Sequence, residues 1–305
     1  MVYSLQAIGV LVLLVSSIHA LPNALPERND NADLFHLKAE RRSGQDFQSF
    51  TGPVPSLITW SRSVLEPYMA LDSYPPSTPR PARRNIQGTD DRVPQTSTSF
   101  PFTAVGRVEW SDGYWCSGSL VGPRHVATAK HCAPVDGEQV SVRFAPGYNN
   151  GNVSAPASLV TDMVASTSNS GPAPCFAESD WALFVLEERV GDQVGWFGAR
   201  VLGDGGDEVV GKPVFTHVGY PEDKGNYTMW GQTGITVRGT SCDSTGPLDT
   251  DADVIAGQSG GPIWYDDGED HYVYGVLSSG DDTVTRFSSG DVWLAAINKL
   301  KADYP

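Results

Sequence analysis

From residue 102 onward the sequence breaks into short runs of apolar, β-branched and aromatic residues separated by turn-forming pairs. Phe102–Trp110, Tyr114–Val121, His125–Ala129, Val140–Phe144 and Trp181–Leu186 make a first group of strands. Pro213–Gly219, Tyr227–Val237, Gly261–Tyr265, Tyr272–Leu277 and Thr283–Phe287 make a second. Asp112-Gly113, Asp204-Gly205-Gly206 and Asp267-Gly268 punctuate them, as turns between short strands require. With 32 glycines and 22 prolines there is little room for long helices. The pattern predicts an all-β fold in two strand groups, each able to close as a barrel. One helix is predicted at the end, with Ser289 as its cap, Asp291 in its first turn, Trp293, Ala296, Ile297 and Leu300 on one face, and Lys299 and Lys301 in the last turn.

The N-terminus reads differently. An apolar run, Ile8–Val15, leads to Ser16-Ser17-Ile18-His19-Ala20, the pattern of a secretory signal cut after Ala20. The run is far below the roughly 20 residues a membrane span needs, so no membrane anchor is expected. Residues 21–84 end in Tyr74-Pro-Pro-Ser-Thr-Pro-Arg-Pro-Ala-Arg83-Arg84. That proline density opposes regular structure, and a dibasic pair in an exposed linker invites nicking. Residues 1–20 are read as signal peptide and 21–84 as propeptide, cut after Arg84, the alternative being a permanent N-terminal tail.

The formal net charge is −15. Residues 85–305 hold 13 basic against 29 acidic side chains, a surface that repels phosphate backbones and argues against nucleic acid as a partner. Four cysteines in an exported chain should pair, with three connectivities open. The sequons Asn152-Val-Ser154 and Asn226-Tyr-Thr228 fit glycosylated loops of such a chain. No HExxH or CxxC spacing occurs, so neither a metal nor another cofactor is expected.

Three segments carry chemistry. The first is Cys116-Ser-Gly-Ser-Leu-Val-Gly-Pro-Arg-His-Val-Ala-Thr-Ala-Lys-His131-Cys132, strand, turn and strand leading to a histidine. Cys116 and Cys132 could close it as a disulfide and fix the histidine's backbone; Cys175 and Cys242 would then form the second pair. The second is Gly257-Gln-Ser259-Gly-Gly-Pro262. A serine hydroxyl needs a base to become a nucleophile, and flanking glycines let the backbone turn and aim N–H groups at one point. In the third, Asp180 stands directly before the apolar run Trp181–Leu186, where it can hold the histidine's Nδ1–H. Alone, each has a bland reading: a surface histidine beside a disulfide, a flexible Gly/Ser loop, a solvated aspartate. Together they stand in the order His, Asp, Ser, 49 and 79 residues apart, the order of one known catalytic triad.

The segments resemble the chymotrypsin-like serine proteases, in which the histidine follows an Ala-Thr-Ala-type strand and the serine sits in a Gly-x-Ser-Gly-Gly-Pro turn. Over most of residues 85–300 the chain resembles the glutamyl-endopeptidase branch, through Gly88-Thr-Asp-Asp-Arg92, Gly195-Trp-Phe-Gly198, Gly219-Tyr-Pro-Glu-Asp-Lys224, Met229-Trp230 and Gln258-Ser259. The resemblance implies two six-stranded antiparallel β-barrels, residues 85–197 carrying His131 and Asp180, and residues 198–305 carrying Ser259 and the terminal helix. It also implies oxyanion-hole N–H groups from Gly257 and Ser259, and substrate backbone pairing with Val276-Leu277-Ser278-Ser279-Gly280. The expected activity is that of a secreted, monomeric serine endopeptidase acting on proteins or peptides.

Two departures matter. Position 258 is Gln, where the trypsin-like branch has an Asp that pairs with a new N-terminal amine, so that ion pair cannot form. Val254 and Leu277 stand where the glutamyl branch places a Thr or Ser and a His. Neither can hydrogen-bond a carboxylate, and burying that charge unpartnered is costly, so an apolar cleavage-site preference is expected. Asp253 stands where trypsin-like enzymes bind Lys or Arg, and its orientation decides whether it competes. Two rivals remain. An α/β-hydrolase needs Ser, Asp and His in that order, and only His271 follows Ser259. A catalytically inactive binding protein on the same fold is the other.

Overall fold

In the computed structural model the first elements among the described residues are a short strand, β1 (Ser56–Ile58), a one-turn helix, α1 (Arg62–Leu65), and the two-residue β2 (Val93–Pro94). The first barrel follows as β3 (Val105–Trp110), β4 (Trp115–Gly122), β5 (His125–Ala129), β6 (Val142–Pro146), β7 (Ser158–Ala165) and β8 (Trp181–Leu186). Its antiparallel order is β7-β6-β3-β4-β5-β8, and β8 pairs back onto β7. Helix α2 (Gly191–Val194) and β9 (Gly198–Ala199) lead to the second barrel: β10 (Pro213–Gly219), β11 (Trp230–Thr240), β12 (Leu248–Thr250), β13 (Pro262–Asp266), β14 (His271–Gly280) and β15 (Thr285–Ser288). Here the order is β10-β13-β14-β15-β12-β11, with β11 closing on β10. Both rings are six-stranded and antiparallel, as expected. Closure pairs strand edges that would otherwise be exposed. The chain ends in helix α3 (Asp291–Asp303).

The structure describes residues 49–65, 67, 86–135, 138–166, 174–203, 207–225, 227–243, 245–266, 268, 270–281 and 283–305, all within one unit, Leu34–Pro305. The apolar run Ile8–Val15, the proline-rich stretch ending in Arg83-Arg84, and Asn226 lie outside them. Among the described residues no helix is long and apolar enough to cross a membrane.

The first barrel is filled by Leu120, Val126, Phe144 and Phe184, each with no exposed surface. The second is filled by Phe215, Ile235, Leu248, Ile263, Tyr274 and Phe287. All six residues of β8 are buried, which is why that strand reads as an unbroken apolar run. Trp293, Ala296, Ile297 and Leu300 form the buried face of α3. Ser289 does not cap that helix. Its hydroxyl donates to the Tyr274 carbonyl, and the cap position is Gly290, without a side-chain bond.

Two segments outside the rings are held in place. Strand β1 pairs in parallel with β7, the Gly52 N–H donates to Ser141 Oγ at 3.0 Å, and Leu65 is buried. Regular structure therefore occurs within residues 21–84, on the near side of the proline-rich run. Strand β2 pairs with β11, so the residues just after the dibasic pair lie on the second barrel.

Candidate active site

The registers of four strands converge on one place. In the β5–β8 pair Ala129 faces Trp181, which puts His131, two residues past Ala129, beside Asp180, one residue before Trp181. In the β13–β14 pair Pro262 faces Val276, which puts Ser259 and Ser278 at the same end of the second barrel.

His131 sits in a 3-10 turn, Lys130–Cys132. A disulfide from Cys132 to Cys116 on β4 ties that turn down, and Trp110 Nε1 donates to the Cys132 carbonyl at 3.1 Å. Asp180 closes another 3-10 turn, Cys175–Ser179, its N–H donating to the Ala177 carbonyl. The Cys175–Cys242 disulfide anchors this turn to the chain just beyond β11. The Asp180 carboxylate collects three donors. His131 N–H reaches Oδ1 at 3.1 Å, His131 Nδ1 reaches Oδ2 at 2.8 Å, and Ser278 Oγ donates to Oδ2 at 2.7 Å. A carboxylate that accepts Nδ1–H fixes the tautomer and leaves Nε2 as the basic nitrogen.

The serine loop is shaped by glycines that nothing else can replace. Gly257 has φ of +91° and Gly260 +77°, where other L residues are strained. A Cβ on Gly257 would stand 2.3 Å from the Tyr220 carbonyl oxygen, and one on Gly260 would stand 2.1 Å from Thr128 Oγ1. The loop thus presses against β5 three residues before His131. Further bonds hold it there. Ser117 N–H donates to the Ser259 carbonyl at 2.8 Å, Ser117 Oγ donates to the Gly257 carbonyl at 2.8 Å, and Gly260 N–H donates to the Leu277 carbonyl at 2.8 Å. Leu277 precedes the Ser278 that binds Asp180, so a short covalent and hydrogen-bonded path runs from the serine loop through Asp180 to His131.

The residues expected to contact substrate are arranged unevenly. Val254 and Leu277 have no exposed surface and pack in the second-barrel core with Ile263, Tyr274 and Phe287. The Asp253 carboxylate is buried and turned to the N-terminal segment, with Oδ1 accepting from Gln87 N–H at 2.7 Å and Oδ2 from Asp91 N–H at 2.9 Å. Ser279 and Gly280 continue β14 opposite Arg286 and Thr285. Asn152 is exposed. Cys116, His131 and Cys132 lie close together, but the disulfide occupies both sulfurs, leaving no thiolate for a metal. His271 pairs with Asp266 at 3.1 Å where β13 meets β14, far along the hairpin from Ser259.

One participant was not singled out from the sequence. Arg92, quoted only within a motif, has a side chain with no exposed surface. It reaches Gln258, the neighbour of Ser259, at 2.9 Å. A single arginine in an acidic stretch carries no signal that it is buried.

Comparison with known proteins identifies the family and the fold. The family model described as Trypsin matches residues 90–290. The chain is 31% identical over 191 residues to a glutamyl endopeptidase of Bacillus licheniformis, covering 59% of this chain and 55% of that protein. It is 29% identical over 188 residues to a protein named extracellular metalloprotease from Bacillus subtilis, covering 59% and 57%. The chain thus spans a little over half the length of these curated relatives. A solved Glu endopeptidase in complex with MPD superposes with a TM-score of 0.59 at 20% identity, over 71% of this chain and 99% of that one, a likeness of fold.

Proposed function

Because this chain belongs to the trypsin family, the chymotrypsin-like serine proteases, we propose that it is a secreted serine endopeptidase in which Ser259, His131 and Asp180 act as the triad. The observation that carries the reading is the Asp180 carboxylate, which takes His131 Nδ1–H at 2.8 Å and is itself fixed by Ser278 at 2.7 Å. An imidazole oriented in this way accepts a proton at Nε2.

Substrate lies extended beside β14, along Ser278-Ser279-Gly280. Ser259 Oγ attacks the scissile carbonyl while His131 Nε2 takes its proton. Charge on the carbonyl oxygen is met by the N–H groups of Gly257 and Ser259, each worth roughly 2.7–4 kcal/mol in such a site. His131 then protonates the leaving amine, and water releases the acyl-enzyme. The reaction needs no cofactor and no second chain.

The cleavage-site preference is apolar. Val254 and Leu277 are closed into the second-barrel core and bring no polar atom to the site, and the Asp253 carboxylate already accepts two backbone N–H groups from residues 87 and 91, so none of these three positions offers a partner to a charged substrate side chain. The protein is made as a precursor with signal peptide 1–20 and propeptide 21–84, and carries glycans at Asn152 and Asn226.

The test is to express the full chain in a secreting host beside its Ser259→Ala variant. Each is incubated with a mixture of denatured proteins and every new peptide end is read by mass spectrometry. Cuts made by the parent alone, mostly after apolar residues, are the expected result. Cuts concentrated after Glu would overturn the pocket reading, and identical maps from the two proteins would leave the inactive binding protein as the better reading.

A further inference from the structure

The guanidinium of Arg92 joins the segment after the dibasic pair to the loop of the nucleophile. Its Nε and Nη2 donate to Asp90 at 2.9 and 3.0 Å, and Nη1 and Nη2 donate to Asp223 at 3.1 and 2.6 Å. Nη1 also donates to Gln258 Oε1 at 2.9 Å. That amide is held by two further bonds. Gln258 Oε1 accepts the Ile255 N–H at 3.1 Å, and Gln258 Nε2 bonds His217 Nε2 at 3.2 Å. The buried His217 anchors through Nδ1 to the Pro262 carbonyl at 2.8 Å. With Nδ1–H donating to that carbonyl, His217 Nε2 is left to accept the Gln258 amide hydrogen.

The side chain of residue 258 is therefore clamped between a cation on one side and a neutral imidazole on the other. Its backbone lies between Gly257 and Ser259, the two residues proposed to supply the oxyanion donors. Asp223 strengthens the connection, since the neighbouring Glu222 N–H donates to the Ala256 carbonyl at 2.8 Å. At the loop's other end Asp253 grips residues 87 and 91. A guanidinium is suited to this task because its rigid fork serves two carboxylates and an amide at once without losing its charge.

We propose that Arg92 is a positioning residue for catalysis, which sets the serine loop through Gln258 by a bond internal to the chain and thereby does in this protein what the absent acid at position 258 cannot. The inference rests on the serine endopeptidase reading. It touches neither substrate nor the reacting atoms.

The experiment compares the full chain, expressed and purified as secreted protein, with Arg92→Met and Arg92→Lys. The readouts are the rate of modification by a serine-directed phosphonate, kcat and KM on a peptide, and thermal unfolding. A loop displaced by about 1 Å costs on the order of 100-fold in rate. Arg92→Met is expected to lose about 100-fold in phosphonate reactivity and kcat, with KM within about threefold. Arg92→Lys keeps a cation for Asp90 and Asp223 but has no fork for Gln258. It is expected to unfold near the parent temperature and still to react at least about tenfold more slowly, a loss that fold stability alone would not give. Lysine reactivity within twofold of the parent, or loss confined to KM, would overturn the proposal. A parent that fails to react at all would instead overturn the endopeptidase reading, so the two failures are distinct.

Discussion

Ser278 Oγ and His131 Nδ1 bind the same oxygen of Asp180, Oδ2, from opposite barrels at 2.7 and 2.8 Å. The second barrel thereby fixes an acid that the first barrel supplies, and the histidine's orientation depends on both. Removing the Ser278 hydroxyl takes one neutral donor from a half-buried carboxylate, a loss of about 1.5–3 kcal/mol for a charged acceptor. Ser278→Ala is expected to lower kcat/KM about tenfold with KM little changed. Asp180→Asn puts an amide where a carboxylate held the tautomer, and a fall of about 10⁴ in kcat is expected. Steady-state kinetics on both variants check this, and equal activity of Asp180→Asn and parent would remove Asp180 from the triad.

The two disulfides should fail differently. Cys175 and Cys242 are 67 residues apart and Cys116 and Cys132 are 16 apart. Loop-closure entropy gives about 4 and 3 kcal/mol respectively. Cys175→Ala with Cys242→Ala frees the turn that ends at Asp180, so both activity and unfolding midpoint should drop. Urea denaturation and kinetics on the same preparation measure the two effects. A drop in stability without loss of kcat would mean that β8 alone holds Asp180.

The two groups of strands and the hairpin disulfide were legible because each follows a local rule: alternation and turns for the strands, and two cysteines at the ends of a strand-turn-strand for the disulfide. Strand β7 was missed, since Thr161 and Asp162 interrupt its apolar pattern, and so was the three-residue β12, which is too short to show a period. Ring closure itself, β7 with β8 and β10 with β11, is a long-range fact that residue pattern does not encode. The cap expected from Ser289 failed because the helix starts one residue later, with Gly290 at the cap position, and packing holds the Ser289 hydroxyl against the Tyr274 carbonyl. The direction of Asp253 was undecidable for the same reason: its partners, Gln87 and Asp91, are more than 160 residues away.

Acid should weaken the fold before ordinary carboxylates titrate. Burial lowers the His217 pKa from 6.5 to about 4, the Pro262 carbonyl opposing and the Arg92 charge adding. His125 is likewise lowered to about 4, burial leading. Both rings stay neutral in the fold while the unfolded chain takes protons near pH 6.5. The unfolded state therefore binds more protons between about pH 6.5 and 4, and stability, complete above that window, falls as pH drops through it. His217 alone should cost about 1.4 kcal/mol per pH unit there. Urea midpoints of the Ser259→Ala protein from pH 7 to 5 measure this without self-digestion. A flat profile would mean that these histidines accept protons in the native state.

Residues 49–65 should stay with the protease after the dibasic pair is cut. Strand β1 adds three residue pairs to β7, Ser56 to Asp162, Leu57 to Met163 and Ile58 to Val164. Trp60 lies 5.1 Å from Lys299 and Phe50 4.3 Å from Arg143, and buried Leu65 belongs to the first core. None of these contacts depends on the linker from 66 to 85. Burying a leucine side chain contributes about 1.5–3 kcal/mol, and the strand pairing and the two cation–aromatic contacts add to it, with the first barrel and α3 already formed to receive them. Gel filtration of the processed protein, followed by denaturing mass spectrometry, should recover a fragment spanning 49–65 in the protease peak. Leu65→Ala should release it and lower the unfolding temperature of the protease that remains. A mature chain that elutes alone from the wild-type precursor would mean that the segment binds only while it is covalently attached.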